Sequence, residues 1–186
     1  MPSSSLRPAV FILATLALAG SLLSGVALLN WWVDPFQQYR LAPADQVRYV
    51  RALQRYINPG LAKHAEYDFV ITGSSLMENY DLASVEKTCA APAINLATSA
   101  ISAFEQRKIL ETALRHRNPR RVVMTLDFNS FAPAIDASLP EIVDPLPLHL
   151  YDDNRFNDFR YLLSGPIAMR SLAALANVPI GTYSTD

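Results

Sequence analysis

The first hydrophobic feature of the chain is an uninterrupted apolar run close to its N-terminus. It covers about residues 8–33 and contains no charged side chain. About 20 apolar residues in a helix cross the hydrocarbon core of a bilayer, so this run is long enough to span a membrane with some tilt. Trp31 and Trp32 lie where an aromatic belt would meet the lipid headgroups. The pattern predicts a tail and transmembrane anchor over residues 1–33, with the lipid bilayer as the partner of residues 8–33.

A cleavable signal peptide is the competing interpretation of this run, because "ALA" at 16–18 resembles a small-residue cleavage site. The run continues well past that point, which favours an uncleaved anchor. The positive-inside rule would place the following part in the cytoplasm, since Arg7 precedes the span and Arg40, Arg48 and Arg51 follow it. The short N-terminal tail is nevertheless typical of an export signal, and large domains translocate largely regardless of charge. We therefore expect a single-pass protein of a bacterial-type inner (cytoplasmic) membrane with an extracytoplasmic domain.

Residues 34–60 predict a juxtamembrane connector and a helix. The connector is marked by two prolines, and the helix is expected over 45–57, ended by "INPG". Arg48, Arg51 and Arg55 share one face of this helix, which predicts either a solvated surface or a contact with phospholipid headgroups.

A regular alternation of strand and helix patterns follows, which predicts an α/β domain over residues 61–186. Apolar strands separated by amphipathic helices are typical of βαβ units and a parallel sheet. Ser102 and Glu105 have capping-box spacing at the start of the second helix. Beyond residue 131 the prolines predict a long loop, and then two short helices broken at Gly165-Pro166. The predicted elements are strand "YDFVITG" (67–73), helix 76–86, strand "AINLA" (93–97), helix 103–116 and strand "RRVVMTLDF" (120–128).

Composition excludes several classes of function. The 16 basic and 17 acidic side chains give a formal charge of −1, which offers no electrostatic basis for binding nucleic acid. Cys89 is the only cysteine, so no disulfide can form within the chain. No clustered spacing of histidine and acidic residues predicts a metal site, and no glycine-rich nucleotide motif is present. We therefore predict neither a metal nor another cofactor.

Small polar residues follow each of the three predicted strands. They are Gly73–Ser75, Asn95–Ser99 and Asp127–Ser130. Ligands of open α/β sheets bind at the carboxyl ends of the strands, so these residues predict one polar rim. Ser74, Asn95 and Asp127 are the predicted substrate-rim residues. Asn95 either orients the rim by bonding loop backbone or is a turn residue at the strand end, and Asp127 is either a catalytic carboxylate or metal ligand or the cap of the following turn.

The segments "ITGSSLMEN", "NLATSAIS" and "LDFNS" resemble the first three sequence blocks of SGNH-type (GDSL-like) hydrolases and acyltransferases. The anchor followed by "DPF" resembles the extracytoplasmic branch of that family, which includes alginate O-acetylation proteins and the D-alanyl transfer protein of teichoic acid assembly. The resemblance covers about residues 67–130. It implies a three-layer, flavodoxin-like parallel sheet, which three strands alone would leave incomplete.

The resemblance also implies roles for individual residues. Ser75 matches the nucleophilic serine of the first block, and Ser74 stands where the family usually has aspartate. Ala100 matches the glycine whose backbone N–H helps to bind the oxyanion in the second block. Asn129 matches the asparagine that is the side-chain oxyanion donor of the third block, with Ser130 replacing the aspartate beside it.

The fourth block of the family, an Asp-x-x-His motif that supplies the acid and the base, is not found. His64, His116 and His149 are not placed like the general base of the family. Ser75 and Glu78 also have capping-box spacing, so Ser75 could instead cap a helix.

Two functions follow from these observations. The first is an acyl-ester hydrolase or O-acyltransferase acting on a cell-envelope polysaccharide, which the resemblance implies. The second is a non-catalytic, membrane-tethered scaffold of envelope polysaccharide assembly, with envelope-assembly proteins as its expected partners.

Overall fold

The computed structural model describes residues 6–43, 53–131 and 146–176, without the side chains of residues 6, 7 and 129. These residues form two compact units. One contains residues 6–35 and 156–176, and the other contains residues 36–43, 53–131 and 146–155.

The described elements alternate much as the sequence predicts. Short 3₁₀ turns occupy Ser75–Met77, Phe128–Phe131, Leu148–Leu150 and Arg155–Asn157. The helices and strands are α1 (Leu6–Val33), α2 (Gln54–His64), β1 (Phe69–Thr72), α3 (Leu82–Cys89), β2 (Ala93–Asn95), α4 (Ala103–His116), β3 (Arg121–Met124), α5 (Phe159–Leu162) and α6 (Gly165–Leu175).

The N-terminal apolar run is one continuous helix, α1. Its segment Pro8–Val33 is long and apolar enough to cross a membrane, and none of its most apolar window is buried. This confirms the predicted helix near the N-terminus. A signal sequence meets the same criterion, so the membrane itself remains a prediction.

The strands form a parallel sheet in the order β2-β1-β3. Val70 of β1 pairs with Ile94 of β2 on one side and with Val122 of β3 on the other. The predicted parallel pairing is confirmed, although β3 ends at Met124 rather than at Phe128. The described residues thus contain a small three-stranded parallel sheet and not a complete flavodoxin-like one.

The central strand β1 is buried on both faces. Phe69 and Ile71 pack with Met77 and with side chains of α3. Successive side chains of a strand point to opposite faces, so Val70 and Thr72 face the other side, and α4 also packs against β1. Helix α3 therefore covers the face of the sheet that presents Phe69 and Ile71.

Strand β3 is exposed along its whole length, unlike β1. Val122, Val123 and Met124 are 38%, 41% and 39% exposed. Within the described part of the chain, β3 pairs only with β1, so its outer edge is unpaired.

Helix α2 corrects the prediction that "INPG" ends a helix. The described helix starts at Gln54 and continues through Pro59 to His64, and the predicted positions 45–52 lie outside the described residues. Proline has no N–H to donate to the carbonyl four residues earlier, which here belongs to Arg55. The hydroxyl of Tyr151 donates to that carbonyl instead, at 2.8 Å, so the helix continues past Pro59 without leaving that carbonyl unpaired.

Gly60 allows α2 to pack closely against the segment that follows α1. A Cβ at this position would overlap the backbone carbonyl of Gln37. The glycine that looks like a helix terminator in the sequence is therefore a site of close packing.

Candidate functional site

The loops that follow β1 and β2 are joined by hydrogen bonds. Thr98 N donates to the carbonyl of Gly73 at 2.9 Å, and Asn95 Nδ2 donates to the carbonyl of Met77 at 2.7 Å. The predicted polar rim is present for these two strand ends.

Thr125, the residue after β3, lies at the same edge and packs against Gly73. This glycine has φ +153°, and a Cβ on it would overlap Thr125 Oγ1 and lie 2.9 Å from Met77 Cγ. Thr125 N donates to the carbonyl of Thr72 at 3.1 Å. Only glycine fits here, because both the φ value and the close approach exclude a side chain.

Ser74 and Ser75 have different roles at this edge. Ser74 is the N-cap of the 3₁₀ turn, and its Oγ accepts a hydrogen bond from Leu76 N at 3.4 Å. Ser75 is the first residue of the turn and is exposed. Its hydroxyl makes no hydrogen bond with any described residue, so it is available to a ligand.

The alternative role of Ser75 as a helix cap is wrong. Ser74 provides the cap, and Glu78 Oε1 accepts a hydrogen bond from Ser99 Oγ at 2.5 Å. The helix predicted over 76–86 is instead a short 3₁₀ turn followed by α3, whose N-cap is Asp81. The hydrogen bond from Ser84 lowers the pKa of that carboxyl.

Ala100 has the left-handed conformation that favours glycine, with φ +48°. It is exposed, and its N–H has no hydrogen-bond partner among the described residues. The predicted backbone donor is therefore accessible in the structure.

Arg55 fixes the turn at Ala100. Its guanidinium donates to the carbonyl of Ser99 at 3.2 Å and to that of Ala100 at 2.9 Å. It also pairs with Glu105 Oε1 at 2.7 Å. The prediction that Arg55 faces solvent or headgroups is wrong, since only 8% of the residue is exposed. The remaining arginines of that predicted face, Arg48 and Arg51, lie outside the described residues.

Two further side chains of α2 hold the loop after β2. Gln54 Oε1 accepts a hydrogen bond from Ser99 N at 2.9 Å. Asn58 is buried, and its Nδ2 donates to the carbonyl of Leu96 at 2.9 Å and to Thr98 Oγ1 at 3.0 Å. Sequence reasoning missed these positioning residues, because α2 carries polar side chains along most of its length and no local pattern distinguishes Gln54 and Asn58 from the others.

Both the nitrogen and the oxygen of the Asn95 carboxamide make hydrogen bonds. Its Nδ2 reaches the loop after β1, and its Oδ1 accepts a hydrogen bond from Ala97 N at 3.0 Å. The residue lies at the rim as predicted and braces the two loops there. Its contact with a substrate stays a prediction.

The residues that follow β3 are only partly described by the structure. Asp127 accepts a hydrogen bond from Ser130 N at 3.0 Å through its carbonyl. Its Oδ2 is buried and has no hydrogen-bond partner in the described ranges. The backbone of Asn129 lies in the 3₁₀ turn Phe128–Phe131, whereas its side chain, the predicted oxyanion donor, lies outside the described residues.

The histidines lie away from this rim. Helices α2 and α4 lead into β1 and β3, so His64 and His116 at their C-terminal ends are at the amino edge of the sheet. His64 Nε2 lies 2.8 Å from the carbonyl of Gln38, and His116 Nε2 lies 2.9 Å from Asp153 Oδ1. His149 lies in a turn whose Leu150 carbonyl accepts a hydrogen bond from Lys63 at 2.7 Å, near the end of α2. Among the described residues, no histidine is placed to accept the proton of Ser75.

The described residues contain no group of three or more histidine, cysteine and acidic side chains that could hold a metal ion. Comparisons of the chain with protein-family models, curated proteins and solved structures found no match.

Proposed function

We propose that this protein is a membrane-anchored, SGNH-like acyl-ester hydrolase or O-acyltransferase that acts on a cell-envelope polysaccharide from the extracytoplasmic side. The observation that carries the proposal is the pairing of an exposed serine hydroxyl with a free backbone N–H at one sheet edge. Ser75 supplies the hydroxyl after β1, and Ala100 supplies the N–H after the neighbouring strand β2.

The order of the strands supports the flavodoxin-like part of this proposal. A doubly wound sheet of that type has the order 2-1-3-4-5 with helices on both faces, and it binds ligands beside its first and third strands. The observed order β2-β1-β3 corresponds to its first half. Ser75 and Asp127 follow the two strands that flank this binding position.

The proposed reaction is that of an activated serine. A base takes the proton of Ser75, and the serine oxygen forms a bond to the ester carbonyl carbon while the carbonyl oxygen becomes an oxyanion. The alcohol then leaves as the ester bond breaks, and water or a second hydroxyl releases the acyl group. Ala100 N–H and the amide of Asn129 are the proposed oxyanion donors, and each such donor is worth about 2.7–4 kcal/mol.

Arg55 supports this chemistry as a positioning residue. Its hydrogen bond to the Ser99 carbonyl holds the plane of the Ser99–Ala100 peptide, and in a trans peptide the Ala100 N–H points away from that carbonyl. Its second hydrogen bond, to the Ala100 carbonyl, fixes the next peptide. A donor that is already oriented loses little entropy when the oxyanion forms.

The scaffold is the second candidate, and the position of the histidines favours it. An acyl-transfer reaction at Ser75 requires a base from outside the described residues. A scaffold requires only the anchor and the folded α/β unit.

A serine-directed fluorophosphonate probe, applied to membranes that contain the full chain, tests the two candidates. We expect labelling of the wild type, loss of labelling in Ser75→Ala, and retention in Ser74→Ala, the matched control at the neighbouring hydroxyl. Labelling that persists in Ser75→Ala would exclude this nucleophile. A wild-type chain that is never labelled supports the scaffold.

A further inference from the structure

Helices α5 and α6, with the residues around them, form an apolar hairpin (residues 156–176) that is fastened to the end of α1 by a buried asparagine. Asn30 is fully buried although it lies within the apolar run. Its Nδ2 donates to the carbonyl of Leu162 at 2.8 Å and to that of Ser164 at 3.2 Å. Its Oδ1 accepts a hydrogen bond from Ser171 Oγ at 2.9 Å.

A second buried polar pair strengthens this attachment one turn later. The hydroxyl of Tyr161 donates to Asp34 Oδ1 at 2.9 Å. Tyr161 is fully buried, and Asp34 is 2% exposed. Polar side chains within an apolar span normally pair in this way with a neighbouring helix, so the hairpin belongs to the same body as the end of α1.

The hairpin covers the last turns of α1 and leaves the rest of that helix exposed. Val26, Ala27 and Leu29 are half-buried before Asn30, whereas residues 8–25 are exposed. Trp31 and Trp32 remain exposed at 48% and 65%, as side chains at a headgroup boundary would be. If α1 spans a bilayer up to these tryptophans, the helix packed beside its last turns lies at the depth of the adjacent leaflet.

The outer face of α6 is apolar. Met169, Leu172 and Leu175 are 68%, 50% and 51% exposed. The polar residues inside the helix are Arg170, which is half-buried, and Ser171, which bonds to Asn30. A helix that is apolar on both its inner and its outer face is expected in a protein core or in a membrane, and not in water.

Large apolar side chains are also exposed in α5 and in the residues on either side of it. Phe156, Phe159 and Leu163 are 93%, 56% and 41% exposed. Arg160 of α5 is also exposed. Exposed aromatic and aliphatic side chains together with an arginine are typical of a segment that lies at a membrane surface.

We propose that residues 156–176 are a second membrane element, inserted from the surface into the leaflet that contains the C-terminal end of α1. The partner of this surface is phospholipid, with acyl chains against Met169 and Leu172 and an anionic headgroup against Arg160. Helix α6 has 11 residues and is about 16 Å long, so it enters the leaflet without crossing the bilayer. The inference rests on the anchor in the proposed function and not on its chemistry.

Spin-label accessibility in liposomes tests this placement. The full chain is reconstituted in phosphatidylethanolamine–phosphatidylglycerol vesicles after Cys89→Ala removes the native thiol. Single labels are attached at Met169→Cys and Leu172→Cys, with Leu16→Cys in α1 as the anchor reference and Lys87→Cys in α3 as the aqueous reference. Accessibility to oxygen, which concentrates in lipid, is compared with accessibility to a water-soluble nickel chelate.

We expect labels at 169 and 172 to favour oxygen, as at position 16, while the label at 87 favours the chelate. If the label at 16 favours oxygen and those at 169 and 172 favour the chelate, the hairpin is in water and the inference is overturned while the anchor stands. Low accessibility to both reagents at 169 and 172 would also overturn it, because protein would then cover the surface. A label at 16 that favours the chelate would show that α1 is in water, which would overturn both the anchor and the inference that rests on it.

Discussion

Pro59 is tolerated inside α2 because a distant side chain replaces the hydrogen bond that proline cannot make. The hydroxyl of Tyr151, 96 residues away along the chain, donates to the Arg55 carbonyl that a residue with an N–H at position 59 would bond. The two residues therefore act on the same acceptor, and their effects on stability should not be additive.

We predict that Tyr151→Phe lowers the free energy of unfolding by about 1–3 kcal/mol, the cost of an unpaired buried carbonyl. Pro59→Ala provides an N–H for the same carbonyl and should recover part of that loss. Denaturant unfolding of the wild type, both single variants and the double variant measures the coupling. Additive effects would show that Tyr151 does not substitute for the missing N–H.

Gly73 gives a second prediction at the scale of one residue. Gly73→Ala forces a Cβ against Thr125 Oγ1 at φ +153°, so we expect a loss of stability of at least about 1–3 kcal/mol. The matched control is Gly165→Ala, where nothing lies within 4 Å of the added Cβ. Thermal unfolding in detergent compares them, and equal stabilities would contradict the close approach of β1 and β3.

The buried tyrosines predict sensitivity to alkali. Burial raises the pKa of Tyr67 from 10.0 to about 12, partly offset by Arg117, and burial also raises the pKa of Tyr151. The unfolded state loses these phenolic protons at a lower pH than the folded state does. The contribution of the two tyrosines to the free energy of unfolding is therefore complete below pH 10 and declines as the pH rises towards 12. We expect Tyr67→Phe to flatten this decline, as measured by unfolding between pH 9 and 12. An unchanged slope would place the titrating group elsewhere.

At the scale of whole elements, the sequence was sufficient where the signal is local. Strand β1 is a short apolar segment that ends at glycine, and α4 begins at Ser102 with both hydrogen bonds of the predicted capping box. Such features need only residues within one turn or one strand. The parallel pairing followed from the alternation of these elements.

The sequence was insufficient where the deciding partner is far along the chain. In the sequence, Pro59 and Gly60 resemble a helix terminator, because the sequence does not show which carbonyls lie next to them. Arg55 resembles a solvated side chain, because its partner Glu105 is 50 residues further along the chain. At the candidate site, the position of Ser75 and Ala100 followed from the rule that strand ends share an edge. The residues that orient them come from α2, and no local pattern indicates that α2 packs there.

Asn30 provides a prediction about an element. Asn30→Leu removes the partner of two carbonyls and of Ser171 Oγ, and polar contacts between membrane helices are worth about 0.6–2 kcal/mol. We expect backbone amides of α5 and α6 to exchange with deuterium roughly 3–30 times faster, and amides of α4 to be unaffected. Leu28→Ala, at an exposed position of α1, is the control. Unchanged exchange in α5 and α6 would show that the asparagine does not hold the hairpin.

At the scale of the whole molecule, the orientation of the proposed anchor would decide which compartment contains the rim. The charges around the span favour a cytoplasmic domain, and the short N-terminal tail favours export. We predict that alkaline phosphatase fused after Asp186 is active in living cells, because it folds only outside the cytoplasm. The matched β-galactosidase fusion should be inactive. The reverse pair of activities would place the domain in the cytoplasm and exclude an envelope polysaccharide as its substrate.

The bond between Asn30 and Ser171 joins residues 141 positions apart, which has a consequence for the order of events during synthesis. The N-terminal helix leaves the ribosome first and, as the proposed anchor, would enter the membrane before its asparagine has a partner. The carbonyls and the hydroxyl that satisfy it become available only after the intervening α/β segment has been translated. We therefore expect attachment of the hairpin to be a late step of biogenesis, and newly made chains to pass through an intermediate whose anchor carries an unpaired amide.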